Sequence, residues 1–337
     1  KKDKYEIEDI AKNANVKRSN VMNKTILQIV KNILWVSIPI SLSSILVSIN
    51  KNIDSFTVVN LLKNFLPEAE AKIQYGILSG KVETLTSLPL SFNVAFATAL
   101  VPAISAARAK GELNKGVKRI SFSLLTTILI VLPCVVGMVV FAEPILKLLY
   151  PNASSGAWIM QVCVIATIFT AMEQTINGAL QGLGKVMVPA AALTIGVLCK
   201  LILNLILVPI STEVCPLGGA AGAAFATDVC HIVAFCIVFA VLRRTVNLKL
   251  KFSKMVIKPI IASAMMAVVS YGTYILLNGI IAQNMATIIA LIVAVIVYVL
   301  SILVLRIFNE EDILMLPYGQ KIYAVLVKVG IYKEKIK

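Results

Sequence analysis

Long apolar stretches alternate with short polar segments along the whole chain. A bilayer-spanning helix takes about 20 mostly apolar residues. Eight stretches meet or approach that length, at approximately 30–50, 84–104, 120–141, 158–180, 187–210, 219–242, 256–278 and 285–307. The first contains Pro39 and can continue as a broken helix past Lys51 and Asp54; the second contains Pro89 and follows Lys81 and Glu83. Interior prolines are tolerated in membrane helices where neighbours satisfy the freed carbonyl. The pattern predicts an all-α integral membrane protein with eight transmembrane helices.

Composition agrees. Apolar residues make up 58% of the 337 and charged residues 15%, against roughly 45–50% and about 25% in soluble domains. Mean hydropathy is +0.89. The net charge of +15 changes the picture only through its distribution. Segments between alternate spans carry 26 Lys and Arg, and the remaining segments carry 4. That asymmetry is a positive-inside signal and predicts a multi-pass protein of the cytoplasmic membrane with both termini cytoplasmic. The basic residues face membrane lipids, and without an aromatic-interleaved basic platform nucleic acid is not an expected partner.

The flanks read differently from the spans. Residues 1–26 are polar and lack a signal-peptide core, as expected of a cytoplasmic linker following an earlier segment. Residues 309–337 place Ile313, Leu314, Leu316, Tyr323, Leu326 and Val329 among charges. This fits an amphipathic basic tail on the inner surface or a partly disordered one.

Charge inside the membrane is costly and marks a cavity or a partner. Lys200 sits twelve residues past Val188, ~18 Å from the cytoplasmic edge at about 1.5 Å per residue. Asp228, on the next antiparallel span, enters ~15 Å from the other edge by the same rise. In a core about 30 Å thick these depths nearly coincide, so Lys200 and Asp228 are expected to pair, either at a substrate site or as a structural lock. Asn204 shares the Lys200 face, one turn on. His231, three residues past Asp228, is a packing histidine or a proton relay. Glu173, Gln174 and Asn177 form a polar stripe suited to an interhelical network or a cavity wall. Asp54 is expected near the outer end of the first span, within reach of Lys51 in a solvated pair. Arg108 follows the second span as a positive-inside anchor or cavity residue. The small-residue run Gly218–Ala224 predicts close helix packing.

Five cysteines lie in apolar runs and Cys215 in a loop, so no disulfide framework is legible. One histidine and no CxxC pair leave no zinc or other metal site. No GxSxG, Walker A or HExxH pattern occurs, and QGLGK at 181–185 lacks P-loop spacing. Neither an enzyme nor a cofactor is expected.

Several strings occur in a recognisable order: LPLSFNVAFATALVPAISAARAKGE (88–112), AEPILKLLYPNA (142–153), NGALQGLGKVMVPA (177–190), KLILNLILVPI (200–210) and GAAGAAFATDVCH (220–231). Over roughly residues 27–310 the chain resembles the polysaccharide-transporter branch of the multidrug/oligosaccharidyl-lipid/polysaccharide exporter superfamily, and within it the stage V sporulation protein B group, related to lipid II flippases. The resemblance implies a fourteen-helix MATE-like fold of two six-helix lobes and two further helices. This chain would supply the C-terminal lobe (27–245), the last helix pair (246–308) and a tail (309–337), with 1–26 as the inter-lobe linker. The N-terminal lobe would be a missing partner, making the chain a fragment of a longer transporter. The implied function is flipping or export of a lipid-linked oligosaccharide or peptidoglycan precursor by alternating access, with cavity cations such as Lys200 holding the anionic headgroup. The alternatives are a MATE-type multidrug antiporter, which predicts a cavity of carboxylates and aromatics, and a non-transporting membrane scaffold for cell-wall or spore-cortex synthesis.

Overall fold

A computed structural model describes residues 2–248, 250–315 and 319–328; the side chains of 2–25, 32, 36, 39, 40, 43, 51, 311, 322, 324, 325 and 328 lie outside the description. The described residues are helical with short connections. The long helices are α1 (Lys2–Leu62), α3 (Glu83–Ala109), α4 (Leu113–Val140), α6 (Ala157–Gly182), α7 (Met187–Leu207), α8 (Gly219–Thr245), α9 (Lys258–Asn278) and α10 (Gln283–Val304). Shorter ones are α2 (Glu68–Gly76), α5 (Ala142–Leu149), α11 (Glu310–Leu314) and α12 (Gly319–Lys328). Seven helices among the described residues are long and apolar enough to cross a membrane. The eighth expected span, 30–50, falls within α1, where only the shorter apolar helix Ile26–Trp35 is found among the described residues. The protein is a multi-pass membrane protein. Of the predicted tail, 316–318 and 329–337 lie outside the described residues.

Two element boundaries differ from the sequence reading for physical reasons. α1 runs unbroken to Leu62, past the 30–50 stretch, because Asn50 and Asp54 are buried against the bundle rather than solvated. The second span begins earlier than 84: α2 and α3 are joined by a turn of π-helix at Ile77–Val82, giving a continuous Glu68–Ala109 helix. The wider turn lets Lys81 reach over the Tyr150 ring to donate to the Ala153 carbonyl at 2.5 Å.

α6 is the centre of the bundle, packing on α3, α4 and α8; α7 packs on α8 and α1, and α9 with α10 pack on α4. Without a hydrophobic driving force between helices in lipid, close approach rests on small residues. Gly178 and Gly182 are one turn apart on α6. A Cβ at Gly178 would run into the Ala97 carbonyl oxygen of α3, and one at Gly182 would lie 2.8 Å from Ile104. At the α7–α8 contact a Cβ on Gly196 would meet the Cys230 carbonyl. The small-residue run opening α8 is buried, and Gly222 backs onto Leu207. α9 and α10 are tied to the bundle by Tyr298, whose hydroxyl donates to the Leu129 carbonyl at 2.8 Å.

α7 shows how the membrane sorts residues. Ile195, Leu198, Ile202, Leu205 and Ile206 are exposed on one side, while Gly196, Lys200 and Asn204 are buried on the other. The apolar face meets lipid and the polar face meets protein, as a lipid solvent dictates.

Candidate functional site: a polar cavity between α1, α3, α6, α7 and α8

A cavity of about 420 Å³ opens among these helices. Its walls carry hydroxyls, amides and carboxylates, including Ser87, Thr170, Glu173, Gln174, Asn177 and Gln181; among the described residues His231 is the one aromatic ring that lines it. Six of the residues singled out from the sequence lie on it: Asp54, Glu173, Gln174, Asn177, Lys200 and His231.

A buried ion pair joins α1 to α7. The Lys200 ammonium pairs with Asp54 Oδ2, and Asn204 Nδ2 donates to Asp54 Oδ1 at 3.1 Å and to Thr57 at 3.3 Å. Lys200 is 1% exposed and Asp54 4%, so this is a desolvated ion pair whose carboxylate has both oxygens engaged. The expected Lys200–Asp228 pair is not formed. Position along a helix axis does not determine which neighbour a side chain faces. α1 reaches deep enough to present Asp54 to Lys200, whereas Asp228 turns to α6 and accepts the Ala166 amide at 2.9 Å. The solvated Lys51–Asp54 pair is corrected by the same observation: Asp54 is buried and bound to Lys200 and Asn204, while the Lys51 side chain lies outside the described residues.

On the facing wall, His231 Nδ1 and Glu173 Oε2 are 2.9 Å apart, and Asn177 Nδ2 donates to Glu173 Oε1 at 3.4 Å. The stripe at 173, 174 and 177 divides its work. Glu173 faces α8, while Gln174 accepts from Asn93 at 3.2 Å. The Oδ1 atoms of Asn50, Asn177 and Asn204 are buried without a hydrogen-bond partner among the described residues. A buried acceptor left unpaired costs about 1–3 kcal/mol, so Asn177 on the cavity wall is poised to receive a donor.

Asn204, Asp228 and Arg108 do not line the cavity. Asn204 and Asp228 are buried behind it. Arg108 is exposed at the end of α3, where Nη1 donates to the Leu183 carbonyl at 2.7 Å. There it neutralises the partial negative charge at the α6 C-terminus. Gly184, at φ +79°, makes this possible, because a Cβ there would overlap the Arg108 guanidinium.

Sequence reasoning missed the polar knot that locks α3, α4 and α6. Asn93 donates to the Ala171 carbonyl at 2.8 Å, Thr127 donates to Asn93 Oδ1 at 2.8 Å, and Thr127 and Thr175 hydroxyls are 2.8 Å apart. Asn93, alone among apolar neighbours in SFNVAF, was the available signal. Among the described residues no cluster of potential metal ligands occurs.

Residues 79–206 match the MatE family model. The chain is 28% identical over 314 residues to an uncharacterized membrane protein, YabM, of Bacillus subtilis, covering 90% of this chain and 57% of that protein. It is 30% identical over 239 residues to a probable lipid II flippase, MurJ, of Thermotoga maritima, covering 68% and 46%. The lipid II flippase MurJ of Bacillus subtilis is 26% identical over 211 residues, covering 60% and 37%. The solved structure of a lipid II flippase MurJ in an inward closed conformation superposes with a TM-score of 0.59 at 19% identity, covering 77% of this chain and 51% of that one. The chain thus spans about half the length of the relatives it matches, and its all-α fold is similar to part of a flippase fold. The relatives named as flippases are transporters, not enzymes.

Proposed function

We propose that this chain forms the C-terminal lobe and last helix pair of a flippase of the cytoplasmic membrane that moves a lipid-linked saccharide by alternating access, both termini cytoplasmic. The single observation that carries this reading is the cavity: a hydroxyl- and amide-rich wall at membrane depth, between helices whose outer faces suit lipid. A multihydroxylated headgroup needs such donors and acceptors, and Asn177 Oδ1 and the Glu173 carboxylate are placed to serve it. The geometry changes the role assigned to Lys200. Its ammonium is held by Asp54, so it fixes α1 to α7 and does not clamp a pyrophosphate; the cations for that group belong to an N-terminal lobe facing this cavity. The similarity to proteins named lipid II flippases supports a lipid-linked peptidoglycan precursor as cargo. A link to sporulation, and the finer stage V sporulation protein B grouping, belong to the same proposal.

One observation favours the multidrug alternative: Asp54, Glu83 and Glu173 give the wall three carboxylates against one lysine. Binding to the purified chain in nanodiscs separates the two. Lipid II is expected to bind, with Asn177→Leu weakening it about tenfold, the equivalent of one lost hydrogen bond to a charged or buried partner. Binding of tetraphenylphosphonium, weakened by Glu173→Gln, with no binding of lipid II, would replace the flippase reading by organic-cation antiport.

A further inference from the structure

The cavity wall holds two acid–base pairs of different kinds. In one, Lys200 with Asp54, the cation is a lysine. In the other, His231 with Glu173, the cation exists only while the imidazole is protonated. Imidazole is the side chain whose unperturbed titration falls between about pH 5 and 8, and His231 is the single histidine of the chain.

The geometry suits proton binding from the cavity. Glu173 is buried on α6, with Oε2 2.9 Å from His231 Nδ1 and Oε1 accepting from Asn177. An ionised Glu173 accepts from Nδ1, so the hydrogen of the neutral ring sits there and Nε2 is its basic nitrogen. The His231 side chain is 16% exposed and lines the cavity, whose 420 Å³ has room for water. Twelve residues separate His231 from the start of α8 at Gly219, ~18 Å at about 1.5 Å per residue, so the pair lies deep in the membrane. Ionisable groups at that depth mark ion and proton pathways.

The surrounding groups have other work. α7 and α1 bring Lys200 and Asp54, which pair with each other. Asp228, on the same helix as His231, accepts the Ala166 amide. Glu83 of α3 lines the same cavity and has an interaction of its own. Cys163 lies on the cavity wall, and Cys199 and Cys230 lie on α7 and α8; a thiol ordinarily keeps its proton below about pH 8. α4 brings the buried hydroxyls of Ser123, Thr126 and Thr127, which carry no charge.

We propose that the Glu173–His231 pair is a proton-binding site coupled to cargo. A proton taken from cavity water at His231 Nε2 turns a carboxylate beside a neutral imidazole, net −1, into a neutral imidazolium–carboxylate pair. The proton returns to water when the pair releases it. An anionic headgroup entering the cavity is repelled by the first state more than by the second, so proton and cargo favour each other's binding. The coupling rests on the cavity being the cargo site; the proton site does not.

Both are read on the purified full chain, free of a histidine tag, in nanodiscs. NMR of ring-labelled histidine follows His231 without cargo and should show a single titration step between about pH 5 and 8; a ring that keeps one protonation state throughout would overturn the proton site. Lipid II should bind wild type about tenfold more tightly at about pH 5.5 than at about pH 7.5, a factor typical of coupled sites. His231→Gln, which keeps a donor for Glu173, should bind equally at both. Linkage is reciprocal, so lipid II added to wild type near pH 6.5 should draw protons from a weak buffer, a measurement that needs no folded variant. Equal wild-type affinity at the two pH values, an undiminished pH effect in His231→Gln, or lipid II binding without proton uptake would overturn the coupling and leave the cargo reading intact. No lipid II binding at either pH would contradict the cargo reading and the coupling together, while the NMR titration would still decide the proton site.

Discussion

Lys200 and Asp54 form a buried ion pair, and mutating one partner differs from mutating both. Removing one partner of a buried pair typically costs about 3–5 kcal/mol, because the other charge stays buried and unpaired, while apolar replacement of both is often neutral. Lys200→Ala and Asp54→Ala should each lower the thermal unfolding midpoint strongly, and Lys200→Met with Asp54→Leu should restore most of it; losses that simply add would show that the pair is not coupled. Glu173 and Asn177 sit on the cavity wall, so Glu173→Gln should leave the unfolding midpoint near wild type while weakening cargo binding. The sequence announced which residues matter through their polarity in apolar runs: Lys200, Asp54 and Glu173 all line the cavity. It did not announce partners. Pairing spans 146 residues from Asp54 to Lys200, and no local periodicity encodes which helix turns which face to another.

At the scale of elements, hydrophobic length placed the helices well, since lipid permits few alternatives to a continuous helix. Ends were harder to read. The extension of α1 to Leu62 and the π-turn at Ile77–Val82 depend on polar residues being satisfied by neighbouring helices, which a hydropathy window registers as an end. The close α3–α6 contact was also silent, because Gly178 and Gly182 resemble the glycines of the following turn until α3 is seen against them. Gly178→Ala must push against the Ala97 backbone and should destabilise by about 1–3 kcal/mol, the usual cost of overpacking. Gly137→Ala, where a Cβ meets nothing within 4 Å, should be neutral or gain up to about 1 kcal/mol in helix propensity. Unfolding midpoints of the two variants check this; equal effects would contradict close α3–α6 packing. Asn93→Leu removes the bonds to Thr127 and to the Ala171 carbonyl and should likewise destabilise, by about 0.5–1.5 kcal/mol per hydrogen bond lost.

The whole bundle carries two kinds of surface: outer faces suited to lipid and a polar cavity proposed to receive cargo. Photocrosslinking in intact cells tests that division most directly. A photoreactive residue at Thr170 points from the cavity wall, and one at Val268, 74% exposed on α9, stands on the outer face. Thr170 is expected to capture a lipid-linked saccharide, Asn177→Leu to reduce that capture strongly, and Val268 to capture only bulk phospholipid. Capture of the same lipids at both positions, unchanged by Asn177→Leu, would contradict that division.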